Sequence, residues 1–132
     1  MKAITIQQPF AYAIVVGIKQ YETRSRRTNI RGRVAIHAGK KVSNSFEKIV
    51  SECYIGNIEM GGKLAVDLGA VIGTVEIVDC VPVEAVLNTL TERERLLGDY
   101  TPGRFAWVLK NPVMFETPIP AKGQQGWWKW DE

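Results

Sequence analysis

The chain has 132 residues, of which 45% are hydrophobic and 23% charged, and it carries a net charge of +3 at pH 7. That length predicts one domain over 1–132, and the composition excludes wholesale disorder. No apolar run approaches the roughly 20 residues of a membrane-spanning helix, and the start turns polar after three apolar residues, unlike a signal-peptide core, so a soluble, cytoplasmic protein without a membrane partner is expected.

In chain order, Ile4 and Ile6 alternate with polar neighbours and predict a first strand. Pro9 suits the opening turn of a helix carrying Phe10, Ala13 and Ile14, with Gly17 as its stop. Residues 19–24 read as extended, 25–32 as an arginine-rich loop, and Val34 and Ile36 as a strand. Asn44 with Glu47 resembles a capping box for a helix through about Cys53. The glycine-rich stretch 55–69 reads as a long loop. The β-branched run 70–81 predicts a central strand, apolar on both faces and ended by Pro82. A short helix follows, and Thr91 with Glu94 caps another before Gly98. Phe105, Trp107 and Leu109 mark a further strand, after which Pro112, Pro118 and Pro120 restrict regular pairing to short pieces. Residues 126–130 predict a last strand closing the sheet. The sum is a mixed α+β domain with two to three short helices and a curled sheet or barrel.

Charge is unevenly placed. Residues 1–41 hold nine Lys/Arg against one acid, Glu22, whereas residues 42–132 hold eight against thirteen. A basic segment on an otherwise acidic domain points to an anion, with nucleic acid the default candidate; a plain solvated surface is the alternative. Arg26, Arg27, Arg31, Arg33, Lys40 and Lys41, with Arg24, form this stretch, and arginine's planar fork suits phosphate. With one histidine (His37) and two cysteines (Cys53, Cys80) a zinc site lacks ligands, although scattered carboxylates leave magnesium or calcium open. No cofactor is predicted, and the thiols are expected to be reduced.

The densest polar group is 17–24. An extended backbone places Glu22 and Arg24 on one face, with Lys19 where the helix ends. Such a set can grip a phosphate or a base edge, or perform acid–base work if burial shifts a pKa; otherwise Lys19 only caps the helix and Glu22 and Arg24 only pair. His37 reads as a base, a stacking partner or a hydrogen-bonded strand residue. Glu76, inside an apolar strand, is expected to pair with a buried Lys or Arg. Trp127, Trp128 and Trp130 offer either stacking surfaces for bases or core.

Gly17-x-Lys19-x-x-Glu22-x-Arg24 resembles the signature of the ASCH domain (activating signal cointegrator homology), a branch of the PUA-like superfamily. Gln8-Pro9-Phe10 is similar to its Gln-Pro-Trp, and 31–38 (RGRVAIHA), 73–80 (GTVEIVDC), 103–109 (GRFAWVL) and the tail around Lys122-Gly123 resemble later segments in order. The resemblance implies a PUA-like small β-barrel. It also implies a cleft for RNA or a nucleotide-like ligand, bordered by Gln8, Lys19, Glu22, Arg24 and His37. Arg26, Arg27, Arg31, Arg33, Lys40 and Lys41 would then hold the RNA backbone. One branch of the family hydrolyses N4-acetylcytidine with a lysine, a threonine and a glutamate, and some relatives are described as ribonucleases. Lys19 matches that lysine, Glu22 occupies the threonine's position beside Thr23, and Glu92 and Glu94 are the candidates for the glutamate. If the chain is an enzyme, Lys19 and Glu22 are its expected catalytic pair.

Overall fold

In a computed structural model that describes residues 1–53 and 67–131, strand β1 (Lys2–Gln8) buries Ile4 and Ile6, as their alternation predicts. Helix α1 (Phe10–Val15) starts at once, the Pro9 carbonyl accepting from Ala13 N–H, and residues Ala11–Val15 are buried. Gly17 ends it with φ +87°, a conformation that only glycine takes without strain. There follow β2 (Tyr21–Arg24), β3 (Gly32–Val42), α2 (Phe46–Cys53), β4 (Ala70–Pro82), 3-10 turns at Val83–Ala85 and Leu87–Thr89, α3 (Glu92–Leu96), β5 (Phe105–Pro120) and β6 (Trp127–Lys129). Thr91 caps α3 as predicted, its hydroxyl accepting from Glu94 N–H at 3.1 Å. At α2 the opening turn belongs to Ser43 rather than Asn44: its carbonyl accepts from Phe46 N–H and its hydroxyl from Ser45 N–H. Most of the loop expected over 55–69 lies outside the described residues. Among the described residues, no helix is long and apolar enough to cross a membrane.

The six strands form one sheet in the order β2-β5-β4-β3-β1-β6, with β1 and β3 parallel and the other neighbours antiparallel. Its main core packs α1 against Ile4, Ile6, Val34, Ile36, Val75, Ile77 and Leu109. A smaller core on the other face gathers Ala3, Ala35, Val71, Trp128 and Trp130. Curling brings distant strands together: Trp107 of β5 stacks on Trp127 of β6, ring centroids 5.6 Å apart and planes at 14°.

The curl does not complete a barrel. β2 and β6 are the two ends of the strand order, and β6 pairs with β1 only over Lys2–Ile4, so Thr5–Gln7 border an open seam. The expected barrel and closing last strand are thus corrected to an open, curled sheet. The prolines of β5 limit its regular pairing with β4 to short pieces, as expected, although the strand itself is continuous. It runs as one strand, absorbing the mismatch with β4 in register shifts between Val71/Gly73, Thr74/Glu76 and Ile77/Asp79 and in Asn111 at φ 51°. The last of these shifts explains why β4 is not apolar on both faces throughout: burial holds as far as Val75 and Ile77, then Val78 and Asp79 face solvent. Cys80 is a buried free thiol.

Candidate functional site

The seam is a cleft of about 550 Å³, within the range of small-ligand sites. Thr5–Gln7 of β1 form one wall and Glu22–Arg24 of β2 the other, with Phe10, Leu97–Asp99 and Arg104 completing it. Both walls are sheet edges, so the space that two hydrogen-bonded strands would fill in a closed barrel stays available to a ligand.

Lys19 anchors this cleft. Only 2% of its side chain is exposed; Nζ donates to the carbonyls of Tyr21 (2.6 Å) and Leu97 (2.8 Å) and stands 3.6 Å from Glu22 Oε1. Three contacts match the three donors of an ammonium. Burial pulls its pKa down, while the carboxylates of Glu22 and Glu94 resist that shift. Glu22 then hands the charge alternation on, because its Oε2 accepts from Arg24 Nε at 2.7 Å. The Arg24 guanidinium is 35% exposed and lies 5.7 Å from the Trp107 ring centroid. Its terminal NH2 groups have no partner among the described residues and are free to meet an anion. The signature therefore folds into a charge ladder running from a buried ammonium to a half-exposed guanidinium.

Beside the β2 wall Arg104 donates to the carbonyls of Asp99 and Thr23, both at 3.1 Å, and stands 3.5 Å from the Asp99 carboxylate. The Asp99 carboxyl is held below its ordinary range, first by the Thr101 N–H and hydroxyl and then by Arg104. Thr23 Oγ1 accepts from Asp99 N–H at 3.0 Å. Behind Lys19, Glu94 is buried. Its Oε1 accepts from Gln20 N–H at 2.8 Å, and its Oε2 has no partner among the described residues; burial pushes its pKa up. Tyr100, whose hydroxyl is likewise buried without a partner, is pushed upward by burial and by the charge of Glu94. Glu92, the other candidate glutamate, is exposed.

The structure thus brings Lys19, Glu22 and Arg24 together in the cleft, and places Gln8 and His37 elsewhere. Gln8 is fully buried: its side-chain oxygen accepts from Tyr12 N–H and its amide donates to the Asp67 carbonyl. Its neighbour Gln7 lines the cleft instead, since alternate strand residues point to opposite sides. His37 is a hydrogen-bonded strand residue on the opposite face of the sheet from Ile36. Its Nε2 meets the Ala121 carbonyl at 2.7 Å, so that nitrogen carries a hydrogen. Thr5 Oγ1 accepts from Trp128 Nε1 and lies 3.1 Å from His37 Nδ1.

The basic stretch divides. Arg33 pairs with Glu76 at 3.1 Å and donates to Thr74, and Arg31 binds the carbonyls of Thr28 and Ile30, 4.0 Å from Asp79. Glu76 has its predicted cation, although 36% of its side chain is exposed and it is not buried. Arg26 and Arg27 stay exposed beside β2, with Arg27 lying 4.5 Å from the Phe105 ring centroid. Lys40 and Lys41 are exposed at the other end of β3, roughly 20 Å along the strand from Arg33 at about 3.3 Å per residue. The terminal tryptophans are core rather than open stacking surfaces: Trp128 and Trp130 are buried and Trp127 is half-buried against Trp107. Sequence reasoning missed Asp99 and Arg104, which no local pattern links to Thr23, and missed Thr5 and Gln7, whose role depends on where β6 stops.

The chain is similar to known proteins over most of its length. The family model of the ASCH domain matches residues 4–119. Human and mouse activating signal cointegrator 1 are each 29% identical over 133 aligned positions, which cover 97% of this chain; the chain spans 22% of their length. Among solved structures, ASCH from Zymomonas mobilis is similar with a TM-score of 0.55 and 21% identity, covering 90% of this chain and 72% of that one. A point mutant of it gives 0.54 with 90% and 74% coverage. At that identity the likeness speaks for the fold, which is α+β and PUA-like. The match over residues 4–119, which takes in the motif at 17–24 and both walls of the seam, establishes that this chain belongs to the ASCH domain family.

Proposed function

We propose that this chain binds RNA or a nucleotide-like ligand in the seam between β1 and β2. Membership of the ASCH family supports nucleic-acid binding in general, and the observation that favours this cleft is the ladder Lys19–Glu22–Arg24. Lys19 fixes the Glu22 carboxylate from behind, which leaves Arg24 aimed but with free donors. A guanidinium in that state takes a phosphate or a base acceptor with two hydrogen bonds, and Phe10 supplies an apolar ring in the same cleft. Arg26 and Arg27, exposed beside β2 and without ion pairs among the described residues, add salt-sensitive affinity for the backbone. The test is fluorescence anisotropy with labelled single-stranded and hairpin RNA at low and physiological salt. Arg24→Ala should weaken binding about tenfold or more, in line with roughly 1.5–3 kcal/mol for a charged hydrogen-bonding group. Binding that is unchanged in Arg24→Ala, or lost with salt in every variant, refutes a cleft that reads RNA.

A second reading, hydrolysis of an N4-acetylcytidine-like acylated nucleoside, is favoured by one observation: burial lowers the Lys19 pKa while Glu94 keeps an oxygen without a partner among the described residues behind it. Chromatography of N4-acetylcytidine incubated with the protein decides it, since absence of released cytidine sinks the reading. Labelled RNA incubated with and without magnesium tests nuclease action in the same way.

A further inference from the structure

A second pocket, of about 350 Å³, opens on the opposite side of Thr5 from the cleft. Thr5 lines both, so the two concavities meet along the uncovered edge of β1. This pocket has His37 and Gly39 beneath it, Lys40 and Lys122 at its rim, and Gln124 and Gln125 beside them. Among the described residues its lining contains no carboxylate. Neither lysine forms an ion pair among the described residues, unlike Arg24, Arg31, Arg33 and Arg104, which face Glu22, Asp79, Glu76 and Asp99.

The floor is closely packed backbone on His37 and Thr5, with no room for a side chain at its glycines. A Cβ on Gly123 would lie 2.6 Å from His37 Cε1 and 2.7 Å from Thr5 Oγ1, so any side chain there must displace a ring tied at both nitrogens. A Cβ on Gly39 would meet Thr5 Cγ2 at 3.1 Å. The turn after β5 is drawn onto this floor by His37 bonding the Ala121 carbonyl and by Ala121 N–H donating to Gly69 O. These bonds place Lys122 with Lys40 on the lining of one concavity, where neither ammonium has an ion-pair partner among the described residues and Gln124 and Gln125 add two side-chain amides.

We propose that this pocket is a second foothold for a single RNA strand: a nucleotide held in the cleft passes over Thr5, and the following phosphates settle against Lys40 and Lys122. The proposal rests on the cleft reading and extends it from one nucleotide to a path. Ammonium groups serve phosphate as point charges, so this foothold is indifferent to sequence, and the cleft is left to discriminate.

The experiment measures two ligands on one protein. Affinity for an oligouridylate of roughly ten nucleotides, within the usual single-strand site sizes, is read by anisotropy across a salt series. Affinity for uridine monophosphate is read by NMR shift changes. Lys40→Ala and Lys122→Ala should each flatten the slope of log affinity against log salt by about 0.7, and together by about 1.4. Their mononucleotide affinity should match wild type, and Lys40→Arg plus Lys122→Arg should keep the slope. Lys110→Ala, removing an exposed charge from β5, controls for bulk charge. An unchanged slope in the double alanine variant, or an equal drop in Lys110→Ala, overturns the foothold while mononucleotide binding still upholds the cleft. Failure of wild type to bind uridine monophosphate, with oligouridylate still bound, refutes the cleft reading and the path built on it.

Discussion

Lys19→Met separates the structural share of the charge ladder from its binding share. Methionine keeps much of the stem's volume and removes the ammonium, leaving the Tyr21 and Leu97 carbonyls without their donor. Each charge-assisted bond of this kind is worth about 1.5–3 kcal/mol, so the two together contribute roughly 3–6 kcal/mol. Against this stands relief of the ammonium's desolvation, several kcal/mol for a group only 2% exposed. Glu22 is not orphaned, because Arg24 still donates to it at 2.7 Å. The net expectation is a loss of about 2–3 kcal/mol. With an unfolding entropy of about 2.1 cal/mol/K per residue, roughly 0.28 kcal/mol/K for this chain, Tm falls by about 7–11 °C. Thermal melting followed by circular dichroism at pH 7 measures it directly. A fall below about 2 °C would show that desolvation cancels the carbonyl bonds, and that Lys19 is held in place for its ligand alone.

Three further outcomes follow from other contacts. Glu94 has its folded pKa raised above 4.5, so its stabilisation is complete below pH 4.5 and is lost as pH rises through the folded value. Melts of wild type and Glu94→Gln from pH 4.5 to 7.5 should therefore shift in the variant's favour with rising pH, and a constant gap contradicts burial as the dominant cause. The Arg33–Glu76 pair is about one-third exposed on both sides, so a double-mutant cycle to alanine by urea denaturation should give a coupling of only about 0.3–1 kcal/mol. A coupling above roughly 2 kcal/mol contradicts that screening. At Gly73 a Cβ would drive into the Val113 carbonyl and lie 2.8 Å from Val15 Cγ1, so Gly73→Ala should lose about 1–3 kcal/mol through overpacking, read as a lower urea midpoint at unchanged m.

Local chemistry was legible wherever one segment decides its own fate. The alternation of Ile4 and Ile6, the stop at Gly17 and the Thr91 cap each act within a few residues, and each appears as read. The grouping of Lys19, Glu22 and Arg24 in the candidate site was legible for the same reason: they lie within six residues and interact with one another directly. Gln8 and His37 were assigned to the cleft by motif order, yet strand alternation sends Gln8 under α1, and His37 belongs to the face that Trp128 covers, with the two rings 5.4 Å apart edge to face. The prolines of β5 announce its short stretches of regular pairing, but not that the strand stays continuous through shifts whose extra residues lie mostly in β5 itself. The seam itself depends on β6 ending against Ile4, a matter of pairing length that no residue announces.

The stacked Trp107 and Trp127 carry a spectroscopic consequence. One indole belongs to β5, beside β2, and the other to β6, beside β1, so the pair spans the two flanks of the opening from beneath. At 5.6 Å and nearly parallel, the two chromophores share their excited states, whereas Trp128 and Trp130 sit in the separate cluster on the other face. A wider mouth would therefore have to change the separation of these two rings. Near-ultraviolet dichroism, compared between wild type and Trp127→Phe, isolates the signal of this pair and gives an unlabelled gauge of the width of the opening.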